Sequence, residues 1–502
     1  MSYKVFRDAV HNMITLHSGD DRLTTDPVDW GDSLILDLID TPEMQRLRRI
    51  GQLGPAYRVY PSAEHSRFSH ALGVLHLSKR ILSHLITLEP HLFDRREIAQ
   101  IKAAALLHDI GHGPYSHAFE QLHPKLPDHE TWSWRIVAGD TGVGRTLRSF
   151  CHRHGLDEAS FFKGLGGMLG MEPSEGVIHI GRQIISSQLD ADRMDYLLRD
   201  AHFSGVSYGR FDLEWLLHSL ALRSVEGIPR LCVDLSKGPA ALESYLFARD
   251  DMYRQVYDHK TVRGFEVLML HLFMAVENGW KTTGELPPGT PSEMGRFLKQ
   301  LFSDTPSDLE TEAYLHLDDT VVNYAIQHWL RILPETDPAW GDLRWKCALF
   351  IQRRPLYRRL YWRSVSDSDT GTTDIISDPA ITDALARIVN QQGERSIPLH
   401  DITGNPLDQQ APLRQVAHVD RLERAAYSQL HYPGQQTDSI TVIDATGSIG
   451  RAERFSERIR LLGSGTRHQA RLFVDPRAER SVIQIIREQF THPEWQLAEE
   501  FT

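Results

Sequence analysis

"LLHDIGHGPYSHAFE" (residues 106–120) is the stretch on which the reading of this chain turns. An apolar run ends there, two glycines and a proline follow, and His108, Asp109, His112 and His117 crowd the break. The run, part of "REIAQIKAAALLHDIGHGP" (96–114), predicts a buried helix, and Gly111 and Gly113-Pro114 predict its end. Adjacent His108 and Asp109 cannot share one face of an ideal helix. At a helix end opened by Gly111, both can turn into a common cleft. Such a dipeptide is weak evidence by itself in a chain with 26 histidines, so its neighbours must decide.

Upstream, "DTPEMQRLRRIGQLG" (40–54) reads as a helix with Asp40 as N-cap and Pro42 in the first turn, ending near Gly51 and Gly54. "SRFSHALGVLHLSKRILSHL" (66–85) repeats apolar residues at Phe68, Leu72, Leu75 and Ile81, with Ser66 as cap and His70 on the helix. Downstream, "ISSQLDADRMDYLLRDAHFSG" (185–205) gathers Leu189, Met194, Leu197 and Leu198 on one side and stops near Gly205. Asp192, Tyr196 and Asp200 share another face at i, i+4 and i+8. Asp195 and Arg199 read as a solvated i, i+4 ion pair with no part in chemistry.

The chain has 502 residues, 41% hydrophobic and 24% charged, the composition of an ordinary globular protein with more than one lobe. Its net charge of −12 disfavours a surface that coats nucleic acid, and an anionic ligand would need local cations. Cys151, Cys232 and Cys347 are far apart and form no C-x-x-C pair, which indicates neither a disulfide framework nor a thiolate zinc site. No run reaches the ~20 apolar residues of a membrane span, and the start lacks a signal-peptide core, so a cytoplasmic location is expected.

Helix signals dominate the first two-thirds. Loops are expected at 281–293, 364–374 and 401–412, each rich in Gly, Pro, Ser, Thr or Asp. Beyond the second loop, "SITVIDATG" (439–447) and "ARLFV" (470–474) predict strands, and "DPRAERSVIQIIREQF" (475–490) predicts a helix capped by Asp475 with Pro476 at its first position. The expected fold is mainly α: a helical core over 1–364 and a smaller α+β lobe over 365–502 serving oligomerisation or regulation.

The ordered set His70, His108-Asp109 and Asp192, with "HDIGHGPYSH", "HE" (129–130) and "RQVYDHK" (254–260) in between and after, resembles the HD-domain metal-dependent phosphohydrolases. It is most similar to their deoxynucleoside triphosphate triphosphohydrolase branch. The resemblance covers residues 1–270 well and begins with the first residues, so no separate amino-terminal domain is expected. It implies an all-helical HD core that hydrolyses deoxynucleoside triphosphates (dNTPs) to deoxynucleoside and inorganic triphosphate. By the same resemblance His70, His108, Asp109 and Asp192 would hold a divalent metal, with Asp190 as rival for the last place. The set suits Mn²⁺, Mg²⁺, Fe²⁺ or Zn²⁺.

Further residues carry over in the same way. His112, His117, Glu120 and His129 match a catalytic group that orients water and protonates the departing oxygen, with Glu120 standing where the family more often has aspartate. Arg67, Arg193 and Arg249 match phosphate-holding positions, Arg193 replacing a frequent lysine. An arginine in a first helical turn, as Arg67 is read, opposes the helix dipole, which speaks for a functional role. Gln52, Leu53, Tyr196, Asp200 and Tyr257 would surround the deoxyribose, with His259 near the base. Lys4, Val5, Asp40, Gln45, Arg48 and Lys260 match parts of an activating nucleotide site between subunits, although Arg7 stands where activated relatives have asparagine. The implied partners are a dNTP, an activating nucleotide and further copies in a dimer or tetramer. The implied role is control of the dNTP pool, including antiphage defence. The competing readings are an HD phosphohydrolase of nucleoside monophosphates, cyclic dinucleotides or an alarmone, and a nucleotide-sensing or nucleic-acid-binding module.

Overall fold

The structure, a computed structural model, describes residues 3–225, 227–303, 309–353, 356–360, 362–364, 379–425, 439–463, 466–490 and 495–497. It is mainly helical with small sheets. The chain divides into two compact units: residues 1–257, 306–322 and 427–464, and residues 258–305, 323–426 and 465–502. Composition suggested one cut near residue 365, whereas the compact units are discontinuous in sequence. Thr441–Ile443, part of the expected tail lobe, lies in the first unit because it pairs in parallel with Ile228–Asp234, Thr441 opposite Cys232. Sheet partnership, which composition does not encode, sets the division.

In the first unit the helix Arg67–Leu88 is the central element, burying Phe68, Leu72, Leu75, Ile81 and Leu85 and packing against Arg95–Leu107 and Ala191–Ser204. Each such side chain removed from water contributes roughly 1.5–3 kcal/mol. Arg95–Leu107 begins with a reciprocal cap: Asp94 accepts from Glu97 N at 2.8 Å and Glu97 accepts from Asp94 N at 2.7 Å. A hairpin of Tyr3–Asp8 and Asn12–His17 opens the chain, and a four-stranded sheet runs in the order Ile449–Arg451, Thr441–Ile443, Ile228–Asp234, Leu220–Val225.

Two expected caps are corrected. Thr41, not Asp40, caps Pro42–Arg46, its hydroxyl accepting from Met44 N. Ser66 holds the N-cap position without a side-chain bond, and the first helical N–H, that of Arg67, is satisfied by the Ile50 carbonyl at 2.9 Å.

The second unit contains the helices Lys260–Thr283, Ser292–Phe302, Gly341–Gln352 and Glu479–Gln489, and a sheet in the order Arg358–Arg359, Thr466–Val474, Ala417–Ala425. The loop expected at 281–293 shortens, since the helix runs to Thr283 and ends on the left-handed Gly284. The loop expected at 401–412 is half strand. The Asp401 carboxylate accepts from Thr403 N and Asn405 N, closing a turn that lets Pro406–Pro412 pair with Ser396–His400. Beyond Ser364, the loop expected at 364–374 lies outside the described residues. Among the described residues, no helix is long and apolar enough to cross a membrane.

Candidate active site

The helix Arg95–Leu107 stops just before the His-Asp pair, leaving His108 as its C-cap. His108 Nδ1 donates to the Ala105 carbonyl at 2.9 Å, which fixes the tautomer and aims the Nε2 lone pair away from the helix. His70 is held alike, its Nδ1 donating to Asp195 Oδ2 at 2.8 Å. Both Nε2 atoms are buried and make no hydrogen bond. His70 Nε2 lies 3.0 Å from Asp192 Oδ1 and 3.6 Å from Asp109 Oδ2. His108 Nε2 lies 3.5 Å from Asp109 Oδ1 and 3.7 Å from Asp192 Oδ1. Two imidazole lone pairs therefore face two carboxylates, an arrangement of acceptors that calls for a cation at its centre.

The electrostatics agree. Burial would depress the His70 imidazole, but Asp192 and Asp195 outweigh it and hold it up to about 10: the carboxylates draw positive charge to Nε2, a proton or a cation in its place. Burial would raise Asp109, yet His108 and Arg67 keep its carboxyl well below the usual range. Asp190 is occupied elsewhere: it caps Ala191–Ser204, accepts from Arg193 N and Ser187 N, and pairs with the Arg193 guanidinium. The structure thus aims Asp192, not Asp190, at the imidazoles.

The loop after Asp109 is tightly folded. A Cβ on Gly111 would lie 2.1 Å from the His129 carbonyl oxygen, so only glycine fits. Tyr115 and Ser116 both take positive φ, 57° and 58°, a strained pair held by outside contacts. Asp319 accepts from Tyr115 N at 2.7 Å and from Gly51 N at 2.9 Å, while Ser116 Oγ accepts from Arg67 Nε at 2.7 Å. This arch delivers a second cluster, His112, His117, Glu120 and His129. Glu120 Oε1 is its hub, 2.9 Å from His129 Nδ1, 3.4 Å from His117 Nδ1 and 3.9 Å from His112 Nε2. His112 and His129 stack with ring centroids 3.9 Å apart. Burial, then Arg67 and His129, push His112 well below its ordinary value. His129 is raised: burial opposes its charge, but Glu120 and Asp109 prevail. One imidazole is kept neutral beside one that keeps its proton.

On the other side, Asp200 is gripped by His65 Nε2 and Tyr257 Oη, both at 2.8 Å, and Tyr196 meets Tyr257 edge to face. Gln52 N donates to the His65 carbonyl at 2.9 Å, while Gln52 Oε1 is buried without a partner. Leu53 packs on the core of this unit. Arg249 donates to Gln188 Oε1 at 2.6 Å. His259 caps Lys260–Thr283 in the second unit, its Nδ1 accepting from Thr261 N at 3.2 Å. Lys4 and Val5 lie exposed on the hairpin, and Asp40 is exposed at the end of Asp32–Ile39. Gln45 donates to the Ile39 carbonyl and accepts from Arg48, whose guanidinium covers Phe68.

The largest correction concerns Asp195 and Arg199. They pair at 2.8 Å as expected, but both are fully buried, and Asp195 bonds His70. Their flanks, Met194, Leu197 and Ala201, are apolar on both sides, and that was the available sign of burial. His65 and Asp319 carried no such sign. Their partners lie 135 and 204 to 268 residues away.

Residues 67–200 match the HD domain family, a span that contains both histidine clusters and ends on Asp200; the chain belongs to that family. It is 35% identical over 351 residues to a Bacillus subtilis protein described as uncharacterized protein YwfO, covering 70% of each chain. It is 27% identical over 388 residues to the bovine deoxynucleoside triphosphate triphosphohydrolase SAMHD1, covering 71% of this chain and 58% of that one. The crystal structure of a phosphohydrolase from Bacteroides thetaiotaomicron shares the fold, with a TM-score of 0.66, 24% identity, and coverage of 94% of this chain and all of that one.

Proposed function

We propose that this chain is a metal-dependent phosphohydrolase that cleaves dNTPs to deoxynucleoside and inorganic triphosphate. The observation that carries this reading is the pair of buried, unbonded Nε2 atoms of His70 and His108 facing Asp109 and Asp192, beside the His129-Glu120 pair. His70, His108, Asp109 and Asp192 would hold a divalent cation. When bound, such a cation polarises a phosphoryl oxygen and makes water a nucleophile near neutral pH. Its identity among Mn²⁺, Mg²⁺, Fe²⁺ and Zn²⁺ is open to titration.

The chain's own residues do the rest. Arg67, Arg193 and Arg249 counter the phosphate charge, the substrate displacing the Asp190 and Gln188 contacts of the last two. Water adds to the α-phosphorus, the bond to the 5′-oxygen breaks, and His129, kept protonated by Glu120, gives its proton to that oxygen. His112 and His117 orient the water. The free Gln52 oxygen and the Asp200 carboxylate suit a 3′-hydroxyl, and by the family resemblance Tyr196 would lie under the sugar ring and crowd a 2′-hydroxyl, which favours deoxyribose over ribose. The similarity to the bovine triphosphohydrolase adds support for this substrate class.

The reading extends to an oligomer regulated by nucleotide at Lys4, Val5, Asp40, Gln45 and Arg48, and to control of the dNTP pool. The test is product analysis with Mn²⁺ and each dNTP and NTP, alone and mixed. Triphosphate and deoxynucleoside, formed only with intact His108 and Asp109, support the reading, and acceleration by a second nucleotide supports regulation. Hydrolysis of a different phosphoester, or of none, overturns the dNTP assignment.

A further inference from the structure

We infer that the amino-terminal hairpin is built into the metal site, with Asp195 and His11 acting as positioning residues for His70. This rests on the metal-site reading above and concerns residues outside the ligand set.

The Asp195 carboxylate is fully buried and accepts four hydrogen bonds. Oδ2 takes His70 Nδ1 and Arg199 Nε, each at 2.8 Å; Oδ1 takes His11 Nε2 at 2.6 Å and Arg199 Nη2 at 2.9 Å. An ionised carboxylate only accepts, so both imidazoles must present N–H to it. For His70, this sends the proton to Nδ1 and the lone pair of Nε2 toward Asp192 and Asp109. Carboxylates that hold a ligating histidine in this way orient the ring and raise its basicity.

The chain of contacts continues outward. Arg199 also donates to Asp8, Nη1 to Oδ2 at 2.8 Å and Nη2 to Oδ1 at 3.2 Å. Asp8 Oδ1 in turn accepts from Val10 N at 2.9 Å and His11 N at 2.8 Å, which shapes the hairpin turn. The turn between Tyr3–Asp8 and Asn12–His17 is therefore tied at both of its polar residues to the carboxylate that aims His70. Gly73 gives this network its space: a Cβ there would fall 1.9 Å from Asp195 Oδ1 and 2.5 Å from Arg199 Nη2. The outer side of the same hairpin exposes Tyr3, Val5 and Met13. A displacement of the hairpin reaches His70 through Asp195, by way of His11 and of Asp8 and Arg199.

The experiment measures Mn²⁺ affinity by calorimetry and the visible spectrum of the Co²⁺-loaded protein, neither of which needs a substrate. Asp195→Asn and His11→Ala are expected to weaken Mn²⁺ binding by on the order of 10–100-fold and to shift the Co²⁺ bands. His11→Gln, which can restore a donor to Asp195, is expected to recover most of the affinity. Gln100→Ala, which removes the buried bond to the Phe161 carbonyl in the same unit and touches neither the hairpin nor the site, controls for lost stability and should leave the affinity unchanged. Parent-like affinity in both His11→Ala and Asp195→Asn overturns the inference, as does a loss in Gln100→Ala equal to theirs. No recovery in His11→Gln overturns the hairpin's part in it. His108→Ala separates the two levels: if it too binds Mn²⁺ like the parent, the metal site itself is wrong and the positioning role falls with it.

Discussion

Two histidine clusters flank Asp109, and they are built in opposite ways. His70 and His108 are each pinned through Nδ1, by Asp195 and by the Ala105 carbonyl, and leave Nε2 unbonded against carboxylates. His112, His117 and His129 instead gather around one carboxylate oxygen of Glu120. The first arrangement holds lone pairs still and concentrates negative charge, which suits a cation. The second shares charge among imidazoles, so that one stays neutral while another keeps its proton. Histidine is the same residue in both. On the proposed reading, the partner of its second nitrogen decides whether it binds a metal or moves a proton.

Breaking the first cluster should cost most. His108→Ala or Asp109→Ala is expected to abolish Mn²⁺ binding in calorimetry and to reduce turnover by at least about 1,000-fold, because both nucleophile generation and charge stabilisation are lost. The second cluster should respond differently. His129→Ala is expected to lower kcat by about 100–10,000-fold, the usual worth of general acid–base catalysis, while Mn²⁺ affinity stays within a factor of a few. If both clusters lost metal together, the division between them would fail.

Glu120→Gln sharpens the comparison through pH. Glu120 is held at about 2, against its burial, by His117 and His129, and its charge helps to raise His129. An acid acts when protonated, so activity declines as pH rises through the His129 value. Removing the Glu120 charge lowers that value, and the alkaline limb of the kcat profile should move to lower pH. Movement to higher pH, or none, would dissociate Glu120 from the acid.

A smaller effect tests the arch that carries the second cluster. Burial pushes Asp319 up to about 6, although Gly51 N and Tyr115 N favour its charged form. Its folded value exceeds the unfolded value of about 3.9. Its contribution to stability is therefore fully present below about pH 4 and is lost as pH rises to about 6, on the order of 2–3 kcal/mol. Asp319→Asn should flatten the melting temperature between pH 4 and 6.5, measured by thermal denaturation. Least of all, Asp94→Ala should cost about 1 kcal/mol by removing one helix cap, with turnover unchanged.

The site was legible wherever one helix or one turn carries its residues. Asp192 and Asp200 could be placed on a helix by spacing, and the break after Leu107 by its glycines. Asp195 was misread because an i, i+4 pair with Arg199 looks the same on a surface as in a core. Only the packing of Arg67–Leu88 against Ala191–Ser204, permitted at Gly73, takes that pair out of water. His65 and Asp319 were invisible for another reason: each matters through a partner more than a hundred residues distant.

By itself, the amino-acid sequence determined where the main helices lie and the order of the histidines and aspartates, through which the chain resembles its family. These depend on local periodicity, capping and spacing, which a chain carries with it. The tertiary structure alone decided that Asp192 faces the imidazoles while Asp190 caps its helix, that a hairpin turn at Asp8 and His11 reaches the carboxylate behind His70, and that Thr441–Ile443 completes the sheet of the first unit. Those outcomes depend on which buried polar groups find each other once water is excluded. That matching exists only when the helices have packed.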